Sequence, residues 1–259
     1  VIVIKVGSNI LVNEKHVLRK KWLTSLIEDV QKLQKKGSKI IIVSSGAIAL
    51  GRNILSKKKL TNLHEKQAAA SIGQIQLSQQ WQKAFAKFNI QSSQILITAE
   101  DLNERRKYLN IRNTIYSLMD LNVVPIINEN DTTSTEEIRF GDNDKLSAMI
   151  ANALSAELLI LLSDVNGLYT ANPKKSTDAK LITSVEEVDQ EIEKYIDKDL
   201  SEFGSGGMLA KVNAAKLCIQ SGSTMIISNG LVNNPLGNIH PHPQHGFILL
   251  KIFSQVGSS

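Results

Sequence analysis

The chain has 259 residues, of which 42% are hydrophobic and 21% charged, a balance typical of a folded protein with one large domain or two smaller lobes. Its longest wholly apolar run, Leu158 to Leu162, is far below the roughly 20 residues of a membrane span, and its single cysteine, Cys218, excludes an intrachain disulfide. The formal net charge of +5 suits a protein with anionic substrates. Lysines cluster over 32–39 and 57–59, but only 5% of the residues are aromatic and none lies among these lysines, which disfavours nucleic-acid binding.

Strand and helix patterns alternate along the chain. Short apolar runs predict strands over 1–6, 39–45, 94–98, 123–129, 158–163 and 224–229. One-sided apolar stripes predict helices between them, over 22–33 (with a stop at Gly37), 64–88, 101–121, 143–155 and 207–221. The stretch 165–205 is irregular and is the one weak candidate for a boundary between lobes. The alternation predicts an α/β fold with a mainly parallel sheet covered by helices on both faces.

Ligands of such open sheets bind at the carboxyl ends of the strands. Small, polar or charged residues follow four of the predicted strands, namely Gly7-Ser8-Asn9, Ser44-Ser45-Gly46, Glu129-Asn130-Asp131-Thr132 and Ser163-Asp164. One such turn is ordinary, but four at the same edge of the sheet predict a binding site there.

Lys5 lies inside a strand that is otherwise made of valine and isoleucine. A lysine is rarely buried without a partner, so we expect its ammonium group to reach the strand end and meet an anionic ligand. The alternative is an edge strand that leaves Lys5 in solvent.

The nucleotide-binding motifs GxxxxGK[ST] and GxGxxG are both absent. The segment "FGSGGMLAK" (203–211) is nevertheless rich in glycine and opens a helix, so its backbone N–H groups and Lys211 are candidates for binding an anion. A flexible loop with a solvated lysine explains the same pattern. Ser45-Gly46, which also precedes a helix, is a second candidate for anion binding.

Two polar segments carry acids and amides. The "NEND" segment (128–131) suits an ammonium group of a ligand, or a simple Asx-turn. The second, "FGDNDKLSA" (140–148), crowds Asp142, Asn143 and Asp144 at the start of a helix. A helix cap needs only one of them, so this stretch is a candidate for chemistry as well as capping.

These segments together resemble a known family. The motifs "KVGSNIL", "SSGAIALG", "INENDT", "GDNDKLSA", "LLSDVNGLYTANP" and "GSGGMLAKVNAAKLCIQSG" occur in the order and at roughly the spacing of bacterial glutamate 5-kinases, a branch of the amino-acid kinase superfamily. The resemblance covers residues 1 to about 230. It implies an open αβα sandwich in a single domain (1–259), in which about 1–155 bind the amino acid and about 156–259 the nucleotide.

The resemblance also implies an activity, ATP-dependent phosphorylation of the γ-carboxylate of L-glutamate in proline biosynthesis, with Mg²⁺ as the metal. Further family expectations are feedback inhibition by L-proline, a homodimer or homotetramer, and a cytoplasmic location. The implied catalytic residues are Lys5, Lys211 and Asp144, with Asp144 orienting the two lysines. The implied substrate contacts are Ser45, Gly46, Asp131 and Asn143. The implied nucleotide contacts are Lys5, Gly7, Ser163, Asp164, Ser205, Gly206, Gly207, Met208, Leu209, Ala210 and Lys211.

The chain departs from the family pattern in three respects. We expect no C-terminal PUA module, Ala210 stands where the family often has threonine, and the segment after about residue 230 fits poorly. Within that segment, His240, His242 and His245 are interrupted by prolines, which favours a surface loop over a metal site. Other members of the superfamily (acetylglutamate kinase, aspartokinase, uridylate kinase) and a non-catalytic regulator remain alternatives.

Overall fold

A computed structural model describes residues 1–56, 59–134, 142–171, 176–185, 187–190, 192, 195, 207–237 and 239. All six predicted strands form in it and make one parallel sheet: β1 (Ile2–Val6), β2 (Ile40–Ser44), β3 (Ser92–Ile97), β4 (Val124–Glu129), β5 (Leu158–Ser163) and β8 (Thr224–Asn229). Their order across the sheet is β3-β4-β2-β1-β5-β8, so the first strand of the chain is central. A separate antiparallel pair, β6 (Leu168–Tyr169) and β7 (Leu181–Ile182), lies in the stretch predicted to be irregular.

The helices of the described residues are α1 (Ser8–Leu11), α2 (Lys20–Lys35), α3 (Ala47–Ile54), α4 (Leu63–Ala86), α5 (Ala99–Asn103), α6 (Arg105–Asp120), α7 (Asp142–Ala153) and α8 (Gly207–Gln220). The single helix predicted over 101–121 is wrong, because Glu104 has an extended backbone and separates α5 from α6. Thr98 and Asp101 form a capping box that starts α5, and Asn103, a weak helix former, ends it. None of the helices in these described ranges is both long and apolar enough to cross a membrane.

Helix α2 illustrates how the sequence pattern sets an element. Its stripe from Trp22 to Val30 is buried against the sheet, and the helix stops at Gly37 as predicted. Gly37 has a φ of 91°, and the N–H of Ser38 donates to the carbonyl of Leu33, which closes the last turn. A left-handed residue at this point is favourable for glycine and costly for most others.

Helices cover both faces of the sheet. Side chains such as Ile4, Ile42 and Ile160 belong to a core shared with α2 and α4, while those of Val3 and Leu161 belong to a second core shared with α6, α7 and α8. Alternate residues of one strand therefore enter different cores, as the two-residue period of a strand requires. This arrangement confirms the predicted α/β class, an open αβα sandwich with a mainly parallel sheet.

The position of β1 decides how Lys5 is placed. Lys5 pairs with Val43 of β2 on one side and with Leu161 of β5 on the other, so its strand has neighbours on both edges. Only 8% of the residue is exposed. The alternative of an edge strand with a solvated Lys5 is therefore wrong, and the ammonium group must find its partner at the carboxyl end of the sheet.

Candidate active site

A pocket of about 630 Å³ opens at the carboxyl ends of the central strands. The elements that meet there are the ends of β1, β2, β4 and β5 and the first turns of α3, α7 and α8. Most residues predicted as site residues line this pocket: Lys5, Gly7, Ser45, Gly46, Asp131, Asn143, Asp144, Ser163, Asp164, Gly207 and Lys211. Residues from distant parts of the sequence are thus brought to one edge of the sheet.

The carboxylate of Asp144 lies between two lysines. Its Oδ1 is 2.5 Å from Nζ of Lys5, and its Oδ2 is 3.1 Å from Nζ of Lys211. Lys211 also donates to the carbonyl of Gly207 at 3.3 Å, at the start of its own helix. The Asp144 side chain is 1% exposed, so these two ion pairs form away from bulk water.

Burial and charge act together on the ionisation of this cluster. Burial lowers the pKa of the Lys5 ammonium group below its usual value, and nearby Lys211 lowers it further, while Asp144 opposes both effects. Burial by itself raises the pKa of the Asp144 carboxyl, but the two ammonium groups outweigh burial and hold that pKa below its usual value. Asp144 is therefore ionised at neutral pH, and two cations are held close together by one anion.

Asn143 belongs to a second cluster, next to this one. Its Nδ2 donates to Oγ of Ser45 at 2.8 Å and to Oδ1 of Asn128 at 3.0 Å. Asn128 is held in turn by Gln74, whose Oε1 accepts from Nδ2 of Asn128 at 2.8 Å. The Oδ1 of Asn143 is buried and accepts no hydrogen bond from the described residues. A buried acceptor without a partner is costly, so this oxygen is suited to accept from a ligand.

Gly46 sets the entry to α3 beside Ser45. It has a φ of 112°, a left-handed conformation that side chains rarely adopt, and it precedes the first residue of the helix. An added Cβ would also touch Val12 at 3.4 Å. The glycine thus allows the chain to turn from β2 into α3 directly at the pocket wall.

The remaining predicted residues divide into three groups. Ser163 is buried and Asp164 exposed at the end of β5, and the Ser163 hydroxyl donates to Oδ1 of Asp164 at 3.3 Å. Met208, Leu209 and Ala210 do not line the pocket, and the first two pack against the core on the α7 side of the sheet. Ser205, Gly206 and the histidines at 240, 242 and 245 lie outside the described residues.

Several pocket residues were not predicted. Asn128 lies in the wall and was predicted only as part of the "NEND" segment, not as a site residue by itself. His16, Arg52, Lys66 and Ser134 also line the pocket, but no local pattern marks them. Arg52 and Lys66 reach the site from α3 and α4, whereas His16 lies in the loop between α1 and α2 and Ser134 in the turn after β4.

The comparison with protein families agrees with this geometry. Residues 1–229 match the model of the "Amino acid kinase family". The chain belongs to the amino acid kinase family. The cluster of Lys5, Asp144 and Lys211 and the strand-end loops of this amino acid kinase all lie within the matched range.

Similar sequences indicate which branch of the family this chain resembles. This amino acid kinase is 48% identical over 253 residues to the glutamate 5-kinase of Pelagibacter ubique. The aligned region covers 97% of this chain and 69% of that protein. It is 47% identical over 236 residues to the glutamate 5-kinase of Agrobacterium fabrum, covering 91% of this chain and 61% of that protein. The chain thus spans about two thirds of the length of these relatives. The resemblance noted in the motifs is confirmed.

Solved structures of the same fold are more distant in sequence. The UMP kinase from Ureaplasma parvum superposes with a TM-score of 0.66 at 16% identity, over 97% of this chain and 98% of that chain. The isopentenyl phosphate kinase from T. acidophilum gives 0.65 at 13% identity, over 96% of this chain and 99% of that chain. At these identities the likeness concerns the fold of this amino acid kinase alone.

Proposed function

We propose that this chain transfers the γ-phosphoryl group of ATP to the γ-carboxylate of L-glutamate, forming L-glutamyl 5-phosphate in the first step of proline biosynthesis. The observation that carries the proposal is the pair of ammonium groups, Lys5 and Lys211, held by Asp144 in a pocket at the strand ends. The glutamate 5-kinases at 47–48% identity support glutamate as the acceptor.

The chemistry of the acceptor explains the residues that are present. A carboxylate is already ionised at neutral pH, so it needs no general base to become a nucleophile. The difficulty is that one anion must approach another. Catalysis of this transfer therefore depends on positioning and on neutralising charge, which two lysines are suited to provide.

The transfer of the phosphoryl group requires no proton to be taken up or released. An oxygen of the γ-carboxylate forms a bond to the γ-phosphorus, and the bond from that phosphorus to the oxygen bridging to the β-phosphate breaks, so ADP leaves with the electron pair. Lys5 and Lys211 stabilise the charge that spreads over the transferred group. Two adjacent ammonium groups repel each other, and the ionised Asp144 offsets that repulsion before the substrates bind.

The two substrates are assigned to opposite walls of the pocket. We assign glutamate to the wall built by the first half of the chain, where Ser45, Gly46, Asp131 and Asn143 lie. The unpartnered Oδ1 of Asn143 is suited to accept from a donor of this ligand, such as its ammonium group. The nucleotide is assigned to the wall with Gly7, Ser163, Asp164 and the start of α8. Ser205 and Gly206, which lie outside the described residues, stay predicted nucleotide contacts.

Magnesium is proposed to arrive with ATP as part of the substrate. Among the described residues there is no cluster of three or more His, Cys, Asp or Glu side chains that would hold a metal ion. Both oxygens of Asp144 face lysines. The described residues therefore fit an ion that is coordinated mainly by phosphate and water oxygens, as Mg²⁺ commonly is. Proline inhibition, a homo-oligomer and a cytoplasmic location stay predictions.

The proposal is tested by trapping the product. The protein is incubated with ATP and Mg²⁺ plus glutamate, N-acetylglutamate, aspartate or UMP, and acyl phosphate is captured with hydroxylamine while ADP release is followed in parallel. We expect hydroxamate with glutamate alone. ADP release with UMP, or hydroxamate from another acceptor only, would assign a different kinase reaction. No product with any of the four would support a non-catalytic regulator.

A further inference from the structure

Lys66 lines the pocket but is not part of the cluster of Lys5, Asp144 and Lys211. It lies in α4 within two turns of the helix start, is half-buried, and lines the same pocket as Asp131 and Ser134. The side chain of the next residue, Gln67, donates through Nε2 to the carbonyl of Ser134 at 3.2 Å. This hydrogen bond ties the start of α4 to the turn that carries Asp131.

The charge of Lys66 is not neutralised within the part of the chain that the structure describes. No ion pair among those residues includes its ammonium group. Two other cations line this wall, but Lys59 is exposed and Arg52 has an interaction partner of its own. Since no acid among the described residues neutralises it, this ammonium group at the pocket wall is suited to bind an anionic ligand.

The proposed acceptor carries such an anion. When the γ-carboxylate of glutamate lies at Lys5 and Lys211, the other end of the molecule presents an ammonium group and an α-carboxylate. The wall made by α4 and the turn after β4 offers an acid, Asp131, and a cation, Lys66. This pair of charges complements the zwitterionic end of an α-amino acid.

Resting on the proposed function, we infer that Lys66 binds the α-carboxylate of the glutamate acceptor and thereby selects α-amino acids. The residue acts on substrate binding and does not touch the transferred phosphoryl group. Its removal is therefore expected to raise the KM for glutamate and to leave the KM for ATP unchanged.

The first experiment compares two lysines of the same helix. Lys66→Met removes the charge but keeps the apolar stem of the side chain, and Lys83→Met makes the same change at an exposed position near the end of α4. We expect the KM for glutamate to rise about 10- to 100-fold in Lys66→Met, the range for a lost charged hydrogen bond, and to stay within twofold in Lys83→Met. Lys66→Arg, which keeps the charge, should recover part of the loss.

The second experiment identifies which carboxylate is bound. Glutarate keeps both carboxylates and lacks the ammonium group, whereas 4-aminobutyrate keeps the ammonium group and lacks the α-carboxylate. As inhibitors competing with glutamate, they should respond differently to Lys66→Met: the inhibition constant of glutarate rises by the same factor as the KM, and that of 4-aminobutyrate does not change. An equal rise in both inhibition constants would mean that the substitution disturbed the pocket wall in general, and would overturn the inference.

Failure of the inference differs from failure of the proposed function. If the unmodified chain makes no hydroxamate from glutamate, the proposed function fails and the inference falls with it. If the unmodified chain makes hydroxamate and Lys66→Met has an unchanged KM, only the inference is wrong. A thermal melt of each variant shows that it is folded, and Lys66→Gln is a second neutral variant if Lys66→Met does not fold.

Discussion

The carboxylate of Asp144 lies 2.5 Å from the ammonium group of Lys5, although one residue is in the first turn of α7 and the other is in the first strand of the chain. Asp144 makes a second ion pair at 3.1 Å with Lys211 of α8. Three segments are thus joined at one buried point. The proposed reaction brings ATP and glutamate to the same point, so the Asp144 carboxylate is expected to have a structural and a chemical role. Experiments on Asp144 can separate these two roles.

Replacing Asp144 with asparagine should reduce both stability and turnover. The variant leaves the buried Lys5 and the partly buried Lys211 without their anion, and breaking a buried ion pair typically costs about 3–5 kcal/mol. Misplaced lysines should also lower kcat by about 10²-fold or more. Urea unfolding and the hydroxamate assay measure the two effects, and Asp120→Asn, at an exposed position, is the matched control. A destabilised Asp144→Asn protein with normal turnover would leave Asp144 a structural role only.

The stability that Asp144 contributes should depend on pH in a defined direction. The two lysines lower the pKa of this carboxyl in the folded state, so its contribution is complete above the pKa of an unfolded aspartate, about 3.9, and is lost as pH falls through the lower folded value. The difference in free energy of unfolding between the unmodified protein and Asp144→Asn should stay constant from about pH 7 to 5 and shrink below about pH 4. If this difference in free energy grows as the solution is acidified, the pKa of Asp144 is not lowered in the folded state.

Replacing either lysine with methionine should lower turnover with little loss of fold. In Lys5→Met or Lys211→Met, Asp144 keeps one cationic partner, while the transferred phosphoryl group loses one of two cations. We expect kcat to fall by about 10²- to 10³-fold, as when one charge-stabilising donor is removed from an active site. Steady-state kinetics beside thermal melts measure this, and Lys145→Met, an exposed lysine next to Asp144, should behave like the unmodified protein. Near-normal turnover in a folded Lys5→Met variant would remove Lys5 from the mechanism.

Much of the fold follows from local patterns in the sequence. The six strands of the sheet and the stop of α2 at Gly37 were predicted because apolar periodicity and glycine position act over a few residues. The β6–β7 pair was missed because two-residue strands have no period to detect. The break at Glu104 was missed because no glycine or proline marks it in the sequence.

The candidate site was predictable only in part, for a similar reason. Lys5 and the acids of "GDND" break local rules, a cation in an apolar strand and more acids than a cap needs, and such violations are visible in a sequence. Asn128 and Lys66 break no local rule. Their place in the pocket depends on how α4 packs against the sheet and on the turn after β4, which are contacts between distant parts of the chain.

The contact between α3 and α4 yields a prediction in which packing opposes helix propensity. Gly73 lies in α4 so close to α3 that an added Cβ would be 1.8 Å from the carbonyl oxygen of Ala47 and 2.5 Å from the nitrogen of Gly51. Both are backbone atoms, so the two helices must move apart to accept a side chain. In a free helix Gly→Ala stabilises by about 1 kcal/mol, whereas here we expect Gly73→Ala to destabilise by about 1–3 kcal/mol or more.

This change should also reach the substrate. Ala47 is the first residue of α3 and follows Ser45 and Gly46 in the pocket wall, so a shift of α3 should raise the KM for glutamate more than the KM for ATP. Urea unfolding and steady-state kinetics measure the two effects. Ser71→Ala, at an exposed position of α4, is the control and should leave both KM values unchanged. A Gly73→Ala protein that is more stable than the unmodified chain would mean that α3 and α4 do not pack this closely, because only their contact reverses the intrinsic preference for alanine.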